Sequence, residues 1–216
     1  MQRTTDLAAI RKDYRLQSLL EKDVDADPLK QFEKWFQQAM NSGIEEPNAM
    51  MLATCTTNGK PSGRIVLLKG IKESGFVFFT NYDSKKGKQI HDNPFACLVF
   101  FWKELERQVT IEGEIKKVSD QESDEYFATR PIESRIGAWS SPQSKVIQNR
   151  EILEKNVSFF LNKYQSQNIP RPPHWGGYIL IPTLIEFWQG GAGRLHDRLQ
   201  YSIDTTNSWI IERLAP

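Results

Sequence analysis

Apolar residues recur along this chain with two different periods, and each change of period marks a change of element. In DADPLKQFEKWFQQAMNSG, Leu29, Phe32, Phe36, Ala39 and Met40 return at helical spacing and form one apolar face. Asp27 can cap that helix, Pro28 suits its first turn and Gly43 suits its stop. The middle of the chain then switches to short apolar runs. AMMLATCT and SGRIVLLKG flank TNGKP, whose Asn58-Gly59 is a hairpin signal. GFVFFTN, FACLVFFW and ERQVTIEGEIKKV read as three more strands. Between them, SKKGKQIHDNP predicts a helical turn opened by Ser84 and ended before Pro94. Helical patterning returns in SDQESDEYFATRP, which opens on a Ser119–Glu122 capping box, and in NREILEKNVSFFLNKYQSQ. After the Pro-rich NIPRPPHWGG, the segments YILIPTLIEFWQ, RLQYSID and SWIIERLAP are strands again. Many short strands with helices between and beside them predict an antiparallel barrel with helical decoration. At the other end, LAAIRKDYRLQSLL can form a short helix. It is ringed by Arg11, Lys12, Asp13 and Arg15, and residues 1–26 read as an N-terminal arm ahead of a domain over 27–216.

Composition narrows the function classes. At 216 residues the chain is one domain or a tight pair. A hydrophobic fraction of 39% and a charged fraction of 25% describe a soluble globular protein. The net charge of +1 gives no general pull toward nucleic acid or anionic membrane, so any anion site must be local. No stretch approaches the roughly 20 apolar residues that span a bilayer, and MQRTTDLAAIRKDYR has no apolar signal-peptide core. Cys55 and Cys97 sit in apolar runs without metal-ligand or redox spacing, which fits free thiols in a reducing cytoplasm.

Four clusters could carry chemistry. In SGRIVLLKG, strand alternation sends Arg64, Val66 and Leu68 to one face and Ile65, Leu67 and Lys69 to the other. The two cations are either the solvated ends of a buried strand or grips on different parts of an anion. TNYDSKKGKQ sets Thr80, Ser84, Lys85 and Lys86 at a helix start, a phosphate site or a solvated basic turn, without the Walker pattern. YFATRPIESRIGAW spaces Tyr126, Arg130 and Ser134 by four, on one face if helical, although Pro131 can break that. They suit a small phosphate ester, or else a capped helix end with a surface arginine. In QGGAGRLHDR, an extended RLHDR would align Arg194, His196 and Arg198 on one face, which repel one another unless an anion or acid is bound; the alternative is a surface Arg–Asp network. No dinucleotide motif, nucleophile elbow or metal-ligand grouping is present in this pattern, and no metal is expected. Cations with aromatics such as Trp139 and Trp188 point to flat phosphorylated ligands.

Taken together, GRIVLLKG, FFTNYDSKKGKQI, ELERQVTIEGE, YFATRPIESRIGAW, PHWGGY, IEFWQGGAGRLHDR and the terminal ERLAP resemble, in the same order, the pyridoxamine 5'-phosphate oxidases. The similarity runs from IRKDYR to Pro216. It implies a mainly β fold with α, an FMN-binding split β-barrel with flanking helices. It implies a homodimer with FMN at the subunit interface, acting on phosphorylated B6 vitamers and O2; the charge and the lack of an apolar span imply no nucleic acid or membrane partner, and the cysteines a cytoplasmic setting. The implied reaction oxidises pyridoxamine or pyridoxine 5'-phosphate to pyridoxal 5'-phosphate and yields H2O2. A reductase on the same barrel with another electron donor, or a non-catalytic carrier of FMN or pyridoxal phosphate, are the other classes.

By motif, the resemblance assigns FMN to Arg64, Ile65, Val66, Leu67, Leu68, Lys69, Phe79, Thr80, Lys85, Lys86, Gln108, Gln143, Ser144, Trp188 and Arg198. It assigns substrate to Lys69, Tyr126, Arg130, Ser134, Arg194, Leu195 and His196, with Arg11, Lys12, Asp13 and Tyr14 as a lid. Arg194 and His196 are the implied catalytic pair, positioning the pyridine ring for hydride transfer. Two residues depart from the family's common pattern. Lys85 stands where Arg is common and Phe79 where Tyr is common, so one bidentate fork and one hydroxyl are absent.

Overall fold

The computed structural model describes residues 13–165 and 168–216. In chain order the elements are α1 (Pro28–Met40), β1 (Ala49–Cys55), β2 (Pro61–Leu67), β3 (Gly70–Lys72), β4 (Gly75–Asn81) and α2 (Lys85–Asp92). Then come β5 (Phe95–Trp102), β6 (Arg107–Lys117), α3 (Asp120–Thr129), α4 (Ile132–Ser140), α5 (Glu151–Tyr164), β7 (Trp175–Gln189), β8 (Asp197–Ile203) and β9 (Trp209–Arg213). The strands are ordered β2-β1-β5-β6-β7-β4-β3, with β8 on β7 and β9 on β8. This is the mainly β architecture with helices that the short apolar runs predict. The chain divides into two compact units, and β5, β6 and β7 each pass from one to the other.

One unit holds the described residues up to Pro47, Val99–Ile111 and Leu184–Pro216. Its helix α1 forms for the reasons the sequence gives. The Asp27 side chain accepts from the Leu29 N–H at 2.9 Å, and Pro28 occupies the first position, where no N–H is missed. The helix buries Phe32, Trp35 and Ala39. Phe32 meets Phe100 edge-on with centroids 5.0 Å apart, and Trp35 meets Phe187 at 5.2 Å. Full burial of a side chain like Phe32 is worth about 1.5–3 kcal/mol in transfer alone. Polar tips among these rings are satisfied: Trp102 Nε1 donates to Pro47 O at 2.9 Å, and the Tyr201 hydroxyl donates to Asp25 O at 2.7 Å.

The other unit holds Asn48–Leu98 and Glu112–Thr183. The β1–β2 hairpin pairs Ala49 with Leu67 through Cys55 with Pro61, with Asn58-Gly59 in its turn as expected. Strand β4 is buried along most of its length and pairs with β7 from Phe76–Leu180 to Asn81–Trp175. Ser119 caps α3, its Oγ accepting from Glu122 N at 3.1 Å, while the Glu122 carboxylate pairs with Lys72 Nζ at 2.7 Å, so the expected box is met in its serine half. Phe127, Ile136, Ile169 and Trp175 form a buried cluster backed by α5 side chains such as Val157 and Phe160.

Two expectations are corrected. Within the described part of LAAIRKDYRLQSLL no α-helix forms: Asp13–Leu20 runs irregularly into a short 3-10 turn at Glu21–Asp23. Its backbone N–H groups instead find side chains, Arg15 and Leu16 on Glu106 Oε2 at 2.9 and 3.2 Å and Leu19 on Asp197 Oδ2 at 3.0 Å. Nor does one helix run through YFATRPIESRIGAW. Arg130 ends α3 in an extended conformation and Pro131 caps a separate helix, α4, because the ring of a proline forbids helical backbone before it.

Candidate functional site

In the unit built on β1–β4, a cavity of ≈ 450 Å³ opens beside the hairpin. Strand β2 and the residues after it line it with Ile65, Val66, Leu67 and Lys69, and β4 with Phe79, Thr80 and Asn81. Helix α2 contributes Lys86; α3 and its end contribute Tyr126 and Arg130; α4 contributes Ser134. Gln143 and Trp175 complete the wall.

Two cationic groups serve this unit. The first is Lys86 with Arg64. Ser84 caps α2, accepting from Gly87 N at 3.2 Å and donating to Asn81 O at 2.7 Å, and this cap fixes the turn that carries Lys86. Lys86 Nζ lies 3.1 Å from Thr80 Oγ1 and 3.2 Å from Gln143 Oε1. Burial and the nearby Arg64 guanidinium hold its pKa below the usual lysine range. Arg64 donates to Leu52 O, Thr54 Oγ1 and Ser62 Oγ at 2.7–2.8 Å. Thr54 and Ser62 in turn both donate to Gln89 Oε1 of α2 at 2.7 Å, so one amide ties the hairpin to the helix behind the cation. All of these partners are neutral oxygens; neither cation meets a carboxylate among the described residues.

The second group is Arg130. Its Nη1 is buried with no hydrogen-bond partner, and burial pushes its pKa down. Its guanidinium lies 4.6 Å from the Trp175 ring centre. Trp175, Phe79 and Tyr126 lie nearly parallel, with Phe79 and Tyr126 only 3.9 Å apart. A buried N–H without an acceptor costs about 1–3 kcal/mol, and a bound anion would remove that cost. Tyr126, Arg130 and Ser134 thus reach one cavity although they share no helix face.

The other unit carries a separate group at the glycine turn between β7 and β8. The Trp188 ring lies 4.7 Å from His196, and Tyr14 meets Trp188 edge-on at 5.7 Å. Gly190 lets Tyr14 approach, since a Cβ there would stand 2.7 Å from Tyr14 Cβ. His196 Nδ1 accepts from Gly191 N at 3.1 Å, so the neutral ring carries its proton on Nε2. Asp13 Oδ1 accepts from Gly193 N at 3.3 Å. The expected extended RLHDR is corrected. Arg194 sits in a 3-10 turn with φ +66°, β8 starts only at Asp197, and Arg194, His196 and Arg198 do not form one strand face. Their expected repulsion is also relieved by an acid for one of them. Arg198 makes a two-pronged pair with Glu186 at 2.8 and 3.0 Å and donates to Ala215 O at 2.9 Å.

Residues 36–161 match the family described as pyridoxamine 5'-phosphate oxidase, and 175–216 match the pyridoxine 5'-phosphate oxidase C-terminal dimerisation region. The chain belongs to the pyridoxamine 5'-phosphate oxidase family. A pyridoxine/pyridoxamine 5'-phosphate oxidase of Nostoc punctiforme is 58% identical over 97% of this chain and 98% of that protein. One from Paraburkholderia phymatum is 57% identical over 97% and 99%. Among solved structures, PhzG from Burkholderia lata 383, in complex with tetrahydrophenazine-1-carboxylic acid, superposes with a TM-score of 0.87 at 30% identity, over 93% of this chain and 99% of that one.

The family's cofactor is FMN, and the cavity fits it. Lys86 lines the cavity, and Arg64, which does not itself line it, stands close enough to act on Lys86, an uncompensated positive pair for a phosphate; Ile65, Val66 and Leu67 offer strand backbone and apolar wall for a flat ring. Of the residues expected on FMN, Lys69, Phe79, Thr80 and Gln143 line the same cavity. Leu68 is buried, with its N–H on Asn48 O. Lys85 and Ser144 are exposed and do not line the cavity. Gln108, whose Nε2 donates to Thr110 Oγ1 at 3.3 Å, belongs with Trp188 and Arg198 to the other unit. Leu195 is 75% exposed, and Arg11 and Lys12 lie outside the described residues. Trp139 does not line the cavity; its Nε1 donates to Pro170 O and its ring packs on Phe160 and Tyr164. Sequence reasoning missed Trp175 as a wall, Gln89, Thr54 and Ser62 behind Arg64, and Glu186 behind Arg198. Only Trp175, inside PHWGGY, carried a signal; the others are ordinary polar residues whose role comes from cross-strand and helix placement.

Proposed function

We propose that this chain oxidises pyridoxamine 5'-phosphate and pyridoxine 5'-phosphate to pyridoxal 5'-phosphate in a homodimer with FMN at the subunit interface. The observation that carries the reading is the pair of cationic groups serving one unit, Arg64 with Lys86 and, separately, Arg130, neither of which meets a carboxylate among the described residues. Two phosphates, one on the cofactor and one on the substrate, match two such groups.

Bound FMN supplies the two-electron acceptor for the hydride leaving the substrate C4' carbon. The chain's own residues bind and orient. Arg64 and Lys86 hold the cofactor phosphate with charge-assisted hydrogen bonds, and Thr80 and Gln143 align the ammonium. Arg130 takes the substrate phosphate with Lys69, Tyr126 and Ser134 around it. His196 and Arg194 fix the pyridine ring, with Tyr14 beside them, so that C4' is held for transfer. With O2 as final acceptor, pyridoxine 5'-phosphate and O2 give pyridoxal 5'-phosphate and H2O2; the amine substrate also consumes water and releases ammonia. The C-terminal dimerisation match supports the dimer, as do Met51 and Ile65, which stand opposite each other in the β1–β2 register and are both exposed. Cys55 and Cys97 are free thiols, which supports a cytoplasmic setting.

The test is aerobic turnover of the FMN-loaded protein with each vitamer phosphate. Pyridoxal 5'-phosphate and peroxide are expected in equal amounts. NAD(P)H reducing the flavin while neither vitamer does would replace this reading with a reductase.

A further inference from the structure

Arg107 is 5% exposed and lies at the start of β6, yet no carboxylate answers it among the described residues. Its guanidinium is met by three side-chain amide oxygens. Nε donates to Gln189 Oε1 at 2.9 Å, Nη1 to Gln38 Oε1 and Nη2 to Gln17 Oε1. The Trp35 ring covers it, with the guanidinium carbon 4.3 Å from the ring centre. Burial pushes its pKa down to about 10, which leaves it a cation at neutral pH.

The three amides come from three different places. Gln38 belongs to α1, a fixed frame. Gln17 belongs to the irregular segment that presents Tyr14. Gln189 directly follows Trp188 and precedes the glycine turn. The Gln189 amide nitrogen is committed to Leu105 O and Glu106 O, both at 3.2 Å, so its oxygen is left to face Arg107. Glu106 then receives the Arg15 and Leu16 N–H groups on its carboxylate and the Gly190 N–H on its carbonyl. The segment bearing Tyr14 and the turn bearing Trp188 are therefore joined twice, once through Glu106 and once through Arg107. A planar fork of N–H donors can meet three diverging acceptors; a lysine ammonium on a flexible stem cannot hold the same three in fixed directions.

We propose that Arg107 is a positioning residue for the oxidase reaction: by holding Gln17 and Gln189 on one guanidinium, it keeps Tyr14 seated against Trp188 and His196, the aromatic wall on the substrate side. The role rests on the functional reading above. Arg107 contacts none of the reacting atoms; it acts through Tyr14 and Trp188.

The test uses full-length, FMN-loaded protein carrying Arg107→Lys or Gln17→Ala. Gln17 is exposed, so its truncation leaves the core intact and decides the matter if Arg107→Lys fails to fold. Both variants should raise KM for pyridoxine 5'-phosphate, by roughly fivefold for Arg107→Lys and somewhat less for Gln17→Ala, with kcat within about twofold and FMN retained. Trypsin should also cut after Arg15 faster in both variants than in the parent, well below the unfolding temperature. Unchanged KM together with an unchanged cutting rate overturns the proposal, as does a lowered Tm with unchanged KM. If the parent protein fails to turn over pyridoxine 5'-phosphate, the functional reading fails instead, and the cutting rate alone decides whether Arg107 holds the segment.

Discussion

Arg130 and Lys86 are both cations without an acid, and they should fail in opposite ways. Arg130→Met removes a buried, unpartnered N–H and keeps most of the volume, so the ligand-free Tm should hold within a few degrees. The variant should retain FMN but lose roughly 10- to 150-fold in kcat/KM, the worth of one charge-assisted hydrogen bond at about 1.5–3 kcal/mol. Lys86→Met should keep or raise ligand-free stability, because its lowered pKa means that the fold opposes the charge at neutral pH. FMN dissociation constants should rise about tenfold or more for that variant. Equilibrium dialysis with FMN and steady-state kinetics separate the two, and weakened FMN in Arg130→Met would misplace that residue. Such single residues were partly legible. The spacing of Tyr126, Arg130 and Ser134 groups them, and all three line one cavity, but Pro131 splits the helix, so the cavity and not a shared face unites them. Arg198 was read as an anion-seeking charge because Glu186, twelve residues back, becomes its neighbour only through β7–β8 pairing.

Helix α2 shows what a short element demands. Ser84 was legible as its cap, and the helix is found at Lys85–Asp92. Gly87, less obvious in sequence, stands so close to the preceding turn that a Cβ would lie 2.0 Å from Tyr82 O, a backbone atom that cannot swing away. Gly87→Ala should therefore displace the first turn of α2, lower Tm by several degrees through strain of about 1–3 kcal/mol, and weaken FMN through Lys86. Thermal unfolding with and without FMN checks both effects; a parent-like Tm would show that the turn yields. The long periodic elements, α1 and the apolar strands, were readable because each buries one face or both, and α5 because its Val157, Phe160 and Tyr164 pack half-buried on a core cluster. Strand β3, three residues long, is too short to show a period. The alternation in RLHDR allows an extended segment but says nothing of the +66° φ that the backbone adopts at Arg194, so the turn there is not legible in the pattern.

For the molecule as a whole, the fold class was legible from strand spacing and turn residues, while the family emerged only from the ordered set of motifs along nearly the full chain. How the strands pair, β4 with β7 above all, lay beyond local pattern because the partners are about a hundred residues apart. Stability should fall at alkaline pH partly through Tyr178, 3% exposed, whose hydroxyl burial and the neighbouring Tyr82 push up to about 12. The unfolded chain releases that proton near pH 10, so the contribution is complete below 10 and is lost as the pH climbs toward 12. Denaturant titrations should show the parent losing more stability than Tyr178→Phe across that window; equal losses would remove Tyr178 from the account. The central claim is that two phosphate grips bring a B6 vitamer and FMN together for hydride transfer. Anaerobic mixing of the FMN-loaded protein with pyridoxine 5'-phosphate tests it most directly. Bleaching of the flavin absorbance with one pyridoxal 5'-phosphate formed per FMN is the predicted result; an unbleached flavin with FMN still bound, for both the alcohol and the amine, would contradict it.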